Sequence, residues 1–204
     1  MFVQVIQGKV SDRDAVRAAL DGWVEELSPG AEGWLGTTAG VTDDGRLIAL
    51  ARFTSAEAAR ANSERPEQDQ WWTQTSKLFT GEPVFRDSEE VDVDLPGDPD
   101  QASFVQVMQG RTSDPVRARE LMNQGDPAEW AAFRPEVLGT VSLGHGDAYT
   151  MAIYFTSEAA AREGEKKEPP ESIKALMAEM DSLSVGEPDF FDLLQPWLYA
   201  PHRV

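Results

Sequence analysis

The stretch FVQVIQGKVSD, residues 2–12, returns as FVQVMQGRTSD, residues 104–114, with eight of the eleven positions identical. No other feature constrains the fold as strongly. Further anchors keep the same order. ARFTSAEAAR (51–60) matches IYFTSEAAAR (153–162), LGT (35–37) matches LGT (138–140), and GEP (81–83) matches GEP (186–188). The whole unit is therefore duplicated. Each copy of about 100 residues is large enough to bury a core of its own. Two long copies indicate paired domains rather than a solenoid, which stacks more and shorter repeats. The expected organisation is unit 1 over 1–95, a linker PGDPDQ over 96–101, unit 2 over 102–195, and a C-terminal tail over 196–204. Proline, glycine and charge mark the linker as exposed.

Each unit reads as the same series of elements. FVQVIQG alternates and is rich in β-branched residues, which makes it a strand. Ser11 with Asp14 predicts a helix start, and Val16, Leu20, Trp23 and Leu27 follow at helical spacing. In the second copy Asp114 caps and Pro115 takes the first turn. WLGTTAGVTDDGRLIALARF predicts a hairpin turning at Asp43-Asp44-Gly45, and its twin turns around Gly144 to Asp147. Thr54 with Glu57 predicts the next helix, and Trp71, Thr75 and Leu78 continue at helical spacing. A closing strand follows each GEP, VFRDSEEVDV in the first copy and DFFDLL in the second.

The order is β-α-β-β-α-β, a ferredoxin-like unit of four strands with two helices on one face. Ile48 and Leu50 alternate with Leu47, Ala49 and Phe53, so both faces of the sheet are apolar and both need cover. The fold class expected is α+β: two tandem ferredoxin-like units forming an intramolecular pseudo-dimeric α/β barrel, each sheet covering the other.

Composition narrows the function. The net charge of −18 provides no basic face for nucleic acid and disfavours anionic membranes. The densest acidity, residues 82–100, reads as a solvated edge and linker, with a basic partner as the sharper alternative. There is no cysteine, which excludes disulfides and thiolate chemistry, and two histidines make a histidine-rich metal site a poor expectation. The N-terminus lacks the pattern of a signal peptide, and no stretch approaches a membrane span. A cytoplasmic protein is expected, as a monomeric pseudo-dimer or a homodimer.

This order of elements resembles the dimeric α/β barrel superfamily. The strand ending Gln7-Gly8-Lys9 and the segment RFTSAEAARANSERPEQDQWW (52–72) are similar to its antibiotic-biosynthesis-monooxygenase-like branch, here as a tandem fusion. The resemblance implies a ligand pocket between the sheet and the helices of each unit. It also implies oxidation of aromatic or polyketide-like compounds by dioxygen without a cofactor. Heme-degrading relatives use a polar residue late in strand one and a histidine on the second long helix. Gln7 falls near the first position and Trp72 near the second. The indole N–H is only a donor and cannot ligate iron, so no cofactor is expected.

Gln7 and Asn62 are the candidate catalytic residues, as polar groups that orient a substrate oxygen and stabilise an enolate-like charge. Each also has a plain reading. Gln7 recurs as Gln109, and Gln4 as Gln106, so these amides can be tied to neighbouring strands. Asn62 can end a helix. Trp72, Trp71 and Arg52 are the candidate substrate-binding residues. Trp71 and Trp72 align with Leu176 and Met177, which makes core packing the competing role, and Arg52 can pair with a carboxylate. His145 sits in a tight turn and His202 in the tail, with no partner carboxylate or nucleophile placed beside either. Glycines lack phosphate-loop spacing. Because unit 2 lacks counterparts of Asn62, Trp71 and Trp72, unit 1 is the expected pocket. Two functions stay open: a small-molecule pocket protein resembling cofactor-free monooxygenases, and a non-catalytic ligand-binding or structural barrel.

Overall fold

The computed structural model describes residues 1–201. The chain divides into two compact units, Met1–Val91 with the C-terminal segment that begins at Pro196, and Asp92–Gln195. The first unit runs β1 (Phe2–Lys9), α1 (Arg13–Glu26), β2 (Trp34–Val41), β3 (Arg46–Phe53), α2 (Ala56–Ser63), α3 (Pro66–Thr75) and β4 (Val84–Ser88). The second runs β5 (Val91–Asp94), β6 (Phe104–Arg111), α4 (Pro115–Met122), α5 (Pro127–Phe133), β7 (Val137–His145), β8 (Ala148–Phe155), α6 (Glu158–Glu165), α7 (Glu171–Leu183) and β9 (Asp189–Leu193). A last strand, β10 (Trp197–Tyr199), returns to the first unit. The sheets are β10-β2-β3-β1-β4 and β5-β7-β8-β6-β9. Each keeps the ferredoxin-like order, and the class is α+β.

Each sheet has five strands where the repeat predicts four. VFRDSEEVDV breaks at Glu89-Glu90, and its two halves join different sheets: β4 pairs with β1, and β5 lies beside β7. Residues 197–199, expected in a surface tail, pair with β2 instead, Trp197 opposite Ala39 and Tyr199 opposite Thr37. The physical reason is the same at both ends. In a four-stranded sheet, β2 and β7 would present unpaired N–H and C=O groups at an edge. A short added strand satisfies them.

Two helix starts lie one residue beyond the expected caps. Asp12, not Ser11, accepts from the Ala15 N–H at 2.9 Å. Ser55, not Thr54, accepts from the Ala58 N–H at 3.2 Å. Asp114 caps α4 as the sequence indicates, accepting from Arg117 N–H.

Packing separates the two faces of the first sheet. Phe2 and Ile6 of β1 join Leu47, Ala49 and Phe53 of β3 against Val16, Leu20 and Trp23 of α1. Val3, Val5, Ile48 and Leu50 point to the other face and are as deeply buried. The second sheet repeats this, with Phe104, Ile153 and Phe155 against Ala161 of α6 on the helix side. Both copies carry an irregularity in the same place, between Trp34 and Gly36 and between Val137 and Gly139. Gly36 has φ +129°, and a Cβ there would lie 2.5 Å from the Tyr199 carbonyl oxygen. Only glycine fits both demands.

Candidate functional site

In the first unit the space between sheet and helices is occupied by indoles. Trp23 stands edge-on to Trp34 at 5.1 Å between ring centroids and tilted to Trp71 at 6.3 Å. Each ring has its N–H bonded within the unit. Trp23 donates to Gln68 Oε1 at 2.6 Å, Trp34 to Thr37 Oγ1 at 3.0 Å, and Trp71 to the Ala19 carbonyl at 3.0 Å. Trp71 therefore ties α3 to α1. Trp72 continues the chain of rings outward, 6.0 Å from Phe79 and 5.3 Å from Phe85. It is half-buried, and Phe85 is exposed on the edge strand β4. Trp72 is thus the one expected residue that lies at the mouth of an aromatic layer.

Asn62 is buried on α2, and its carbonyl accepts from Arg65 Nη1 at 2.9 Å. The same nitrogen donates to the Leu27 carbonyl at 3.1 Å, and the guanidinium pairs with Glu67 at 2.9 Å. Leu27 ends α1, so Asn62 and Arg65 lock the end of α1 to the turn between α2 and α3. This satisfies a buried amide and a helix-end carbonyl together.

The structure does not bring Gln7 to Asn62. β1 runs without a bulge, so Gln7 shares the face of Val3 and Val5, opposite to the helices. Arg52 is on that face too, opposite Val3, with its Nε buried and unbonded among the described residues. A Cβ on Gly36 would meet its Nη2 at 2.7 Å, which places the guanidinium over the bulge. The five candidates therefore divide, with Asn62, Trp71 and Trp72 on the helix side and Gln7 and Arg52 on the other.

The repeated glutamines have internal partners. Gln4 donates to Asp87 at 3.1 Å, and its twin Gln106 donates to Asp192 at 2.8 Å, each across the strand pair that duplication copied. Gln109 is buried and donates to Thr150 Oγ1 at 3.1 Å. Its twin Gln7 lies opposite Ile48.

The second unit solves the Asn62 position differently. Gly164 is buried there, and the carboxylate of Glu136 occupies the space a side chain would take. Glu136 pairs with Arg134, whose Nη2 also reaches the Ala161 carbonyl at 3.4 Å, and with Lys167 at 3.7 Å. Burial pushes the Glu136 carboxyl up. The hydrogen bonds from Arg134 and the backbone outweigh it and hold the group below its ordinary value. Tyr149 is pushed up, by burial first and by Asp181 second, so it remains a protonated donor. Among the described residues, no three His, Asp or Glu side chains converge as a metal would require. His145 ends β7 opposite Ala148. His202 lies outside the described residues.

No protein-family model matches the sequence, and no curated protein does. Solved structures match it across its whole length. A candidate monooxygenase from Lactobacillus acidophilus gives a TM-score of 0.74 at 14% identity, covering 98% of this chain and 96% of that one. A candidate monooxygenase from Fusobacterium nucleatum gives 0.72 at 10% identity, covering 98% and 94%. An anthrone oxidase-like protein gives 0.66 at 13% identity, covering 97% and 92%. The chain shares the fold of these solved structures over nearly its whole length. Likeness at this identity speaks to the fold and leaves the chemistry to the site.

Within this tandem fold, reading the sequence missed one residue. Ser142 of β7 faces the helices of the second unit, opposite Met151, and is 8% exposed. Its hydroxyl has no hydrogen-bond partner among the described residues. The repeat held the signal. Offsetting from LGT pairs Ser142 with Ala39, so a polar group entered an apolar layer in one copy only.

Proposed function

We propose that this protein holds an aromatic or polyketide-like small molecule and acts on it as the cofactor-free monooxygenases do. What supports the reading is the likeness in fold, over the whole chain, to candidate monooxygenases and to an anthrone oxidase-like protein. Chemistry of this type needs no external reductant when the substrate supplies the electrons. A CH2 group flanked by aromatic rings and one O2 give a C=O and water. The protein's part is to bind, to exclude water and to stabilise the enolate-like charge formed on proton loss.

In the first unit Trp72 is the proposed wall for a flat ring. Asn62 as an orienting group requires Arg65 to yield its carbonyl to the substrate. Gln7 and Arg52 belong to the opposite face and require a ligand there. Oxygen uptake with a panel of hydroxylated polycyclic aromatics tests the reading. Consumption of O2 with stoichiometric product is expected. No turnover across the panel removes the monooxygenase reading, and undiminished turnover in Asn62→Ala and Gln7→Ala removes those two roles.

A second reading, a non-catalytic binding or structural protein, is favoured by one observation. The indoles of Trp23, Trp34 and Trp71 fill the helix side of the first unit with every N–H already bonded.

A further inference from the structure

We infer that the outer edge of β4, residues 84–87, is a docking strip for an extended basic segment of another protein, which adds beside β4 as a further strand. The inference goes beyond the small-molecule reading and does not depend on it.

The fold treats its sheet edges unequally. β10 covers the edge of β2, and β5 covers the edge of β7. β4 stays at the end of its sheet, with β1 as its one strand neighbour among the described residues. Such a strand offers a row of N–H and C=O groups to any chain that can lie along it. β4 runs in unbroken register with β1 from Val84 to Ser88, so its far edge is straight enough to pair again. Its side chains leave apolar surface beside that edge. Val84 is 47% exposed and Phe85 is 45% exposed, on opposite faces of the strand. Phe85 shares the helix face with Ile6 and stands edge-on to half-buried Trp72 at 5.3 Å. The side chains of an added strand alternate between faces and so cover both residues. The matching strand of the second unit is already engaged. Asp189, Phe190 and Phe191 of β9 each have a partner, and Asp192 is held by Gln106 and Arg162.

Charge selects the occupant. Residues 82–90 carry Glu82, Asp87, Glu89 and Glu90 against Arg86, and all four acids are exposed. This edge repels its own image. Antiparallel pairing of two β4 strands about Arg86 would set Glu82 opposite Glu90, and like charges directly opposed destabilise a strand pair. The net charge of −18 opposes self-association further. A segment with an apolar centre and lysine or arginine at both ends meets every demand. Its centre covers Val84 and Phe85. One end meets Glu82, and the other meets Asp87, Glu89 and Glu90. Pro83 and the break at Glu89-Glu90 confine the pairing to the five residues of β4.

Isothermal titration of the full chain with a capped peptide of two lysines, valine, threonine, valine and two lysines tests the strip. One-to-one binding that weakens with added salt is expected. The same peptide with glutamate for lysine should not bind. Two further versions are N-methylated at alternate residues in opposite phase, which removes strand donors and keeps the charge. At least one of them should lose binding. Glu89→Lys with Glu90→Lys is expected to weaken the lysine peptide by about tenfold, through loss of attraction and added repulsion. Phe85→Lys should weaken it by a similar factor, and circular dichroism checks that both variants fold. No binding by wild type overturns the strip. So does equal binding of the glutamate peptide, binding kept by both N-methylated peptides, or unchanged affinity in either folded variant. Sedimentation equilibrium tests the other occupant. A dimer that Phe85→Lys dissociates would give the edge to a second copy and overturn the assignment; a wild-type monomer without peptide is expected.

Discussion

Asn62, a polar candidate in the sequence, has a bonded partner in the fold. The sequence marks a polar side chain just before a proline-led helix. The structure makes its carbonyl the acceptor that holds Arg65 against the end of α1. Asn62→Ala is expected to lower stability by about 1.5–3 kcal/mol, as for a lost hydrogen bond to a charged group. Asn62→Asp, which keeps an acceptor for Arg65, should lose much less. Urea unfolding of the two variants checks this. Glu136 carries the pH dependence of the same position in the second copy. Its folded pKa lies below the ordinary 4.5, so the carboxylate stabilises the fold above that value. That contribution is lost as pH falls below 4.5 through the folded pKa. Glu136→Gln should flatten this acid limb, seen as a urea midpoint that varies less with pH between 5 and 3.

At the scale of elements, much was legible. Period-two runs, the Asp43-Asp44-Gly45 turn, Pro115 and the helical spacing of Val16, Leu20 and Trp23 express local sterics and one-sided burial, which neighbours in sequence already record. The faces of Gln4 and Gln7 followed from alternation alone. What sat on those faces did not, because Asp87 and Asp192 meet their glutamines from strands about 83 and 86 residues away. Helix α1 offers a clean local test. Gly22 lies in its interior, and a Cβ there would meet nothing within 4 Å. Gly22→Ala is expected to stabilise by about 0.5–1 kcal/mol, measured as a higher melting temperature, by limiting the unfolded chain and removing a poor helix former.

At the scale of the molecule, β10 makes the first unit depend on the far end of the chain. Trp197 is 3% exposed in the cluster of Ala39, Ala49 and Val16. Trp197→Ala is expected to cost about 3–5 kcal/mol, the loss typical of a large buried aromatic. Trp197→Phe should cost less, since the indole N–H has no partner among the described residues. Chemical unfolding of the two variants distinguishes them. A fragment of residues 1–95 should likewise be less stable than the unit in the intact chain, because it lacks the strand that pairs β2.

The repeat FVQVIQGKVSD/FVQVMQGRTSD by itself determined the duplication, the order of elements and the α+β class. It did so because periodicity and turn chemistry are local and are written twice. Only the tertiary structure decided that VFRDSEEVDV would divide between two sheets, that 197–199 would be a strand, and that Gln7 and Asn62 would face opposite sides. It also decided that Trp23, Trp34 and Trp71 would pack together in one copy, and that Ser142 in the other would have no hydrogen-bond partner among the described residues. These outcomes depend on which distant backbone edges and side chains must be satisfied together, and no stretch of sequence carries that information alone.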